Sequence, residues 1–376
     1  MLNYNPIKKL GVIFFVMLLV CGCVKDINYK ANPVIAFAAK PQVPGQPYQI
    51  GFYETETSHG VKELQTVVTK VGDNAVNFQM TFDTGSGGLV MDAQGIIPPS
   101  MISSMGFAFS GDSVTVNGVT ITGQTTFIAY GADDNTLSKV YGNLAYASVT
   151  IGDDNGNITV KRLPFFLYYK AINSDGNLYP AHKFDVLGVS SAYDVTFPNK
   201  AYITSPFMYF DPGPGLTRGF KIASLGKGNF SVKGTFVPAV TLGLTNEDLE
   251  SAGFKMTSLT QVDDDGYMPV VQGTIGYDQK SFNAALIFDS GTYPYYYIQD
   301  PEWRKAPGLL KAKTLVQVTT DAGFTFSYTA DDLANPTMVE NPYAERGGLS
   351  VISLNFFSNN EYLLDFDHHR LGLKND

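Results

Sequence analysis

From Tyr48 to Phe210 the chain alternates short apolar, β-branched or aromatic runs with clusters of Gly, Asn and Asp. Successive strand residues face opposite sides of a sheet, and Gly, Asn and Asp supply the turns, so this pattern predicts strands almost throughout. Ser113-Val114-Thr115-Val116 and Val119-Thr120-Ile121 flank Asn117-Gly118, the signature of a two-residue hairpin. Two short helices are expected, one over Pro99–Met105 and one at Asn246-Glu247-Asp248-Leu249 with Thr245 as its cap. Asp211-Pro212-Gly213-Pro214-Gly215 suits neither a strand nor a helix. It is read as the boundary between two β-lobes, 47–212 and 213–376.

The lobes share a local pattern. Val67-Val68-Thr69-Lys70-Val71-Gly72 and Val270-Val271-Gln272-Gly273-Thr274-Ile275-Gly276 each read as a strand ending in a hairpin turn. Each is followed by a second apolar strand, Val76–Met80 or Ala284–Ile287, and then by a short acidic turn: Phe82-Asp83-Thr84-Gly85-Ser86 or Phe288-Asp289-Ser290-Gly291-Thr292. One Asp-Thr-Gly turn would mean little, since Asp and Gly are ordinary turn residues. Two, each with hydroxyl residues on both sides of its Gly and matching strands before it, point to an internal duplication.

This pairing resembles the pepsin-like aspartic peptidases, in which each lobe contributes one Asp-Thr/Ser-Gly-Thr/Ser turn. The resemblance runs from about Val67 to the C-terminus and implies an all-β, bilobal fold with pseudo-twofold related lobes. It also implies catalytic roles for Asp83 and Asp289. Ser86 and Thr292 would orient the two carboxylates, Thr84 and Ser290 would tie the turns together, and Gly85 and Gly291 would support them by letting the backbone fold sharply beside each acid. Thr126–Gly131 and Tyr141–Gly152 resemble the hairpin flap that closes over substrate, with Tyr130 and Gly131 at the Tyr-Gly position. Tyr141, also followed by Gly, is a rival, because the tip over 132–140 is longer than the usual pattern. Phe184-Asp185-Val186-Leu187-Gly188 resembles the element that packs beside the first catalytic turn. Two positions depart from the pattern. Gly87-Gly88-Leu89-Val90 lacks the usual aromatic, and Ser353 stands where a Gly is usual in the second lobe.

The N-terminus carries a different signal. Lys8 and Lys9 precede an apolar run, Leu10 to Val20, too short to span a bilayer comfortably. It closes on Val20-Cys21-Gly22-Cys23, which resembles a bacterial lipobox. Residues 1–23 are therefore read as a lipoprotein signal with Cys23 as the lipidated residue, and 24–46 as a tether. This implies export and anchoring to a bacterial membrane, the outer membrane by preference, facing the periplasm or the surface. The tether's only basic residues are Lys25, Lys30 and Lys40, so an inhibitory basic propeptide is not expected.

Composition narrows the function. The net charge of −9, with a pI near 5.0 and no basic stripe, argues against nucleic acid. Both cysteines lie in the leader, so the lobes hold together without disulfides. His368 and His369 are adjacent and would point to opposite faces of a strand. Asp153-Asp154-Asn155-Gly156-Asn157 and Asp263-Asp264-Asp265-Gly266 lack the further ligands of a calcium loop. No metal or cofactor is expected. The expected partner is a polypeptide substrate and the expected state a monomer. Two carboxylates in one site cannot both ionise cheaply, so one proton is shared between them. That is the chemistry of water activation for peptide hydrolysis. The other class of function is a lipoprotein that keeps this fold to bind peptides or glycans without turnover.

Overall fold

The computed structural model describes residues 43, 45–130, 137–262, 265–342 and 348–376. The lipobox with Cys23, nearly all of the tether, Gly131, Asp263 and Asp264 lie outside them.

The strands that build the site are β1 (Tyr48–Glu56), β2 (Lys62–Val71), β3 (Asn74–Asp83), β4 (Gly87–Asp92), β5 (Val119–Tyr130), β6 (Ser138–Asp153), β7 (Gly156–Ile172) and β8 (Val186–Val189) in the first half. In the second half they are β9 (Thr217–Ile222), β10 (Thr235–Leu244), β11 (Val270–Tyr277), β12 (Lys280–Phe288), β13 (Leu349–Ile352), β14 (Asn360–Asp365) and β15 (Arg370–Asn375). Strand β3 shows why its sequence is a strand. Val76, Phe78, Met80 and Phe82 are buried on one face while Ala75, Asn77 and Gln79 face solvent. Strands β4 and β8 are buried along their whole length, because they lie between other elements on both faces.

One fourteen-stranded sheet runs in the order Lys255–Ser258, β15, β14, β9, β10, β1, β2, β3, β8, β4, β7, β6, β5, Ser113–Val116. It crosses the middle of the chain, since β1 pairs antiparallel with β10 of the second half as well as with β2. An eight-stranded sheet holds β11, β12 and β13. The two halves repeat one local topology. Strand β8 lies parallel to β3 with Gly188 opposite Asp83, and β13 lies parallel to β12 with Ile352 opposite Phe288.

An aromatic chain underlies both halves. Phe82 packs on Phe207 (6.3 Å between ring centroids), Phe207 on Phe220 (5.5 Å), Phe220 on Tyr362 (6.0 Å) and Tyr362 on Phe357 (6.0 Å). Phe357 then meets Phe356 (5.3 Å), and Phe356 meets Phe288 (4.5 Å). The residues that immediately precede the two acidic turns are thus the ends of one line of packed rings. Offset and edge contacts of this kind contribute about 0.5–1.5 kcal/mol each beyond area burial.

Several local expectations meet the structure directly. The Asn117-Gly118 hairpin forms, with both residues at positive φ (48° and 74°) as a type I′ turn requires. Thr245 caps the helix α1 (Asn246–Glu250) through a full capping box with Asp248. Two expectations need correction. The helix over Pro99–Met105 is a single 3₁₀ turn, Pro99–Met101, after which Ile102–Ser103 and Gly106–Phe107 pair as a small hairpin around the positive φ of Gly106. The second-lobe hairpin turns at Asp278-Gln279, past the Gly276 that suggested it, because these two residues take the left-handed conformation (φ 47° and 62°).

Candidate active site

Asp83 ends β3, and Asp289 follows β12 directly. The two turns have matching hydrogen bonds. Gly85 N–H donates to Asp83 Oδ1 (2.7 Å) and Ser86 Oγ donates to Asp83 Oδ2 (2.6 Å). Gly291 N–H donates to Asp289 Oδ1 (2.7 Å) and Thr292 Oγ1 donates to Asp289 Oδ2 (2.5 Å).

The turns are also cross-tied. Thr84 Oγ1 donates to Phe288 O (2.7 Å) and accepts from Ser290 N–H (3.0 Å). Reciprocally, Ser290 Oγ donates to Phe82 O (2.9 Å) and accepts from Thr84 N–H (3.1 Å). Thr84 and Ser290 are both buried, so these four bonds lie in a low-dielectric interior where they position strongly.

This tie brings the carboxyls together. A Cβ on Gly85 would stand 2.7 Å from Asp289 Cγ, and one on Gly291 would stand 2.9 Å from Asp83 Cγ. Only glycine allows each turn to approach the other's acid so closely. Asp83 and Asp289 are 0% and 4% exposed. Burial raises both carboxyls above the ordinary range, and the neighbouring Asp289 charge raises Asp83 further. The two carboxyls therefore titrate as a pair, and neither can ionise independently of the other. The arrangement holds one proton between two acids.

The surroundings answer the two departures. Val90 is buried in the same apolar cluster as Tyr130. Ser353 follows Ile352, whose carbonyl accepts from Asp289 N–H (2.8 Å). Its backbone is extended (φ −77°, ψ 178°), a conformation open to any residue. Gly188 on the first side is a different case. A Cβ there would come within 2.7 Å of both Ser86 O and Oγ.

Tyr130 closes β5. It is buried and stacks on Phe184 at 5.2 Å and 14°. Burial and then the nearby charges of Asp83, Asp194 and Asp185 hold its hydroxyl in the neutral form. Tyr141 is half-buried instead, near Phe127 (5.8 Å) and under the Lys170 ammonium (4.5 Å). Gly131 lies outside the described residues.

Two groups carried no recognisable signal in the sequence. The first is a buried network behind β8. Asp185 Oδ1 accepts from Asp92 N–H (2.8 Å) and the Tyr168 hydroxyl (3.0 Å), and Asp185 Oδ2 meets His182 Nδ1 (2.7 Å). Burial opposes charging of His182, but the contacts with Asp185 outweigh it and raise its pKa. The Asp185 carbonyl accepts from Thr81 N–H (3.0 Å), so this network braces the strand that delivers Asp83. The second is Asp194, in the loop after β8, whose carboxylate accepts from Gly87 N–H. Spacing does not mark the contacts that join them to the turn, since Gly87 and Asp194 are 107 residues apart and Asp92 lies about 90 from His182 and Asp185.

Fold and site together define the class: a pepsin-like bilobal β fold whose two acidic turns meet at the junction of its halves. No family model matches the chain, and no curated protein matches it in sequence. Solved structures do. The aspartic proteinase from Irpex lacteus aligns over 84% of this chain and 94% of its own, at 17% identity and a TM-score of 0.55. The basic 7S globulin from soybean aligns over 88% of this chain and 96% of its own, at 15% identity and a TM-score of 0.54. One neighbour is named a proteinase and the other a globulin, so the fold alone does not decide between catalysis and another role.

Proposed function

We propose that this chain is an aspartic endopeptidase. The observation that carries the reading is the pair of buried carboxyls sharing one proton, each held by its own turn's hydroxyl and glycine N–H. The ionised member of the pair takes a proton from a water lying between the acids, and that water attacks a peptide carbonyl carbon. The protonated member donates its proton to the carbonyl oxygen as it becomes tetrahedral. Collapse of the intermediate breaks the C–N bond, with a proton passing to the leaving nitrogen. Ser86 and Thr292 keep the carboxylates in register, and Tyr130 is the aromatic of the flap. Cys23 is proposed as the lipid anchor that holds the enzyme at a bacterial membrane.

The second reading, a peptide- or glycan-binding protein on the same fold, is kept because a globulin shares the architecture. Cleavage of an unfolded protein substrate from about pH 2.5 to 7 separates the two, since this span covers the dyad chemistry of such acids. Wild type should cleave. Asp83→Asn and Asp289→Asn should each lose nearly all activity, and the double variant should be little worse, because residues acting as a unit are not additive. Wild-type inactivity across that range would move the assignment to the binder. Undiminished cleavage by Asp289→Asn would remove the dyad.

A further inference from the structure

The loop at 190–194 wraps the first acidic turn. Ser190 N–H donates to Ser86 O (2.8 Å), and a Cβ on Gly87 would stand 2.3 Å from Ala192 O. The same loop touches the second lobe, where Tyr193 N–H donates to Asp265 O (2.9 Å) and Ser191 Oγ donates to Tyr267 O. Asp194 ends this bridge. One of its oxygens accepts from Gly87 N–H, the next residue after the Ser86 that holds Asp83.

Asp194 is half-buried and keeps solvent contact although protein surrounds it. The groups that face it are Gly87 N–H from β4, Tyr130 from β5 and Asp265 from the other lobe. Among the described residues no Lys, Arg or His lies within ion-pair distance of it. Burial, and then the Asp265 charge, push its carboxyl up to about 7 against the Gly87 hydrogen bond. Beside it in the chain, Tyr193 stacks on Tyr202 (3.8 Å, 14°), and Tyr202 is 39% exposed. A half-buried carboxylate with no cation beside it among the described residues, next to open aromatic surface, matches the chemistry of a Lys or Arg side chain. The charged head would meet the carboxylate, and the apolar stem would lie along rings.

We propose that Asp194 is a specificity-determining residue of the cleft, pairing with a Lys or Arg side chain of the bound peptide close to the bond that is cut. This rests on the endopeptidase reading and narrows its substrate class. Asp194 does not touch the reacting atoms, so its effect is on choice of peptide.

The test uses peptides that carry one Lys, moved through three positions on either side of a fixed cleavage site. Each is paired with the same peptide carrying norleucine, the neutral counterpart. At one position the wild-type ratio of kcat/KM, Lys over norleucine, should be about tenfold near neutral pH, the effect of one charge-assisted hydrogen bond. Asp194→Asn, which keeps an acceptor for Gly87 N–H, should bring that ratio to about one. Within each pair the titration of Asp83 and Asp289 cancels, so the wild-type ratio should also fall toward one as acid protonates Asp194. This second measurement stands if the variant does not fold. A ratio near one at every position in wild type overturns the inference and leaves the peptidase reading in place. So does a Lys preference that persists in Asp194→Asn. No cleavage of any peptide overturns both.

Discussion

Replacing Thr84 by Val keeps the shape of the side chain and removes one buried hydroxyl. That hydroxyl serves two partners, Phe288 O at 2.7 Å and Ser290 N–H at 3.0 Å, and Thr84 is 0% exposed. Both partners would be left inside the protein without a hydrogen bond. An orphaned buried polar group costs about 1–3 kcal/mol, so the pair amounts to roughly 2–6 kcal/mol. Against a total stability of about 5–15 kcal/mol, that is a large fraction. The assay is chemical denaturation at one pH, with Thr115→Val as control. Thr115 shares a 2.9 Å hydroxyl contact with Thr120 on an exposed strand face, and its loss should cost less than about 0.5 kcal/mol. Ser290→Ala should resemble Thr84→Val, and the double variant should fall short of the sum, because all four bonds belong to one interlocked unit. A Thr84→Val variant as stable as the Thr115→Val control would refute the view that this tie holds the halves in register.

The raised pKa of Asp83 has a stability consequence of opposite sign to a salt-bridged aspartate. A folded-state pKa above the solvated value of 3.8 means that the native state binds more protons, so this term favours folding below that value and is lost as pH rises. Asp83→Asn should therefore gain stability over wild type on going from about pH 3 to pH 7, and a difference that does not change with pH would contradict this. At the other end of the chain, Cys23→Ser should move the protein from the membrane to the soluble fraction without changing its unfolding transition; retention through a carbonate wash would rule out the lipid anchor.

The architecture was legible because its strongest devices are local. Asn117-Gly118 dictates its hairpin, Thr245 with Asp248 dictates its cap, and two Asp-Thr/Ser-Gly turns after matching strands announce paired sites. The expected helix over Pro99–Met105 failed because Pro98-Pro99 starts a turn but nothing downstream sustains one, and Gly106 at φ 129° redirects the chain into a hairpin. The turn at Asp278-Gln279 was missed because Gly276 is the conventional punctuation, whereas the sheet register places the reversal later. Asp194 and the Asp92–His182–Asp185 network were invisible for another reason. Their partners are 107 and about 90 residues away for the Gly87 and Asp92 contacts, and no spacing rule connects positions joined only by the fold. The same holds for the aromatic line from Phe82 to Phe288, whose members come from six separate segments.

The crossed bonds of Thr84 and Ser290 are self-complementary: each turn gives the other a hydroxyl proton and a backbone proton, and receives the same. That is the logic of a contact across a twofold axis between identical subunits, here written into one polypeptide. Divergence is therefore constrained unevenly. Positions away from this axis in either half are free to change independently. A change at one hydroxyl of the axis must be answered on the opposite side, because neither half owns a complete copy of the contact.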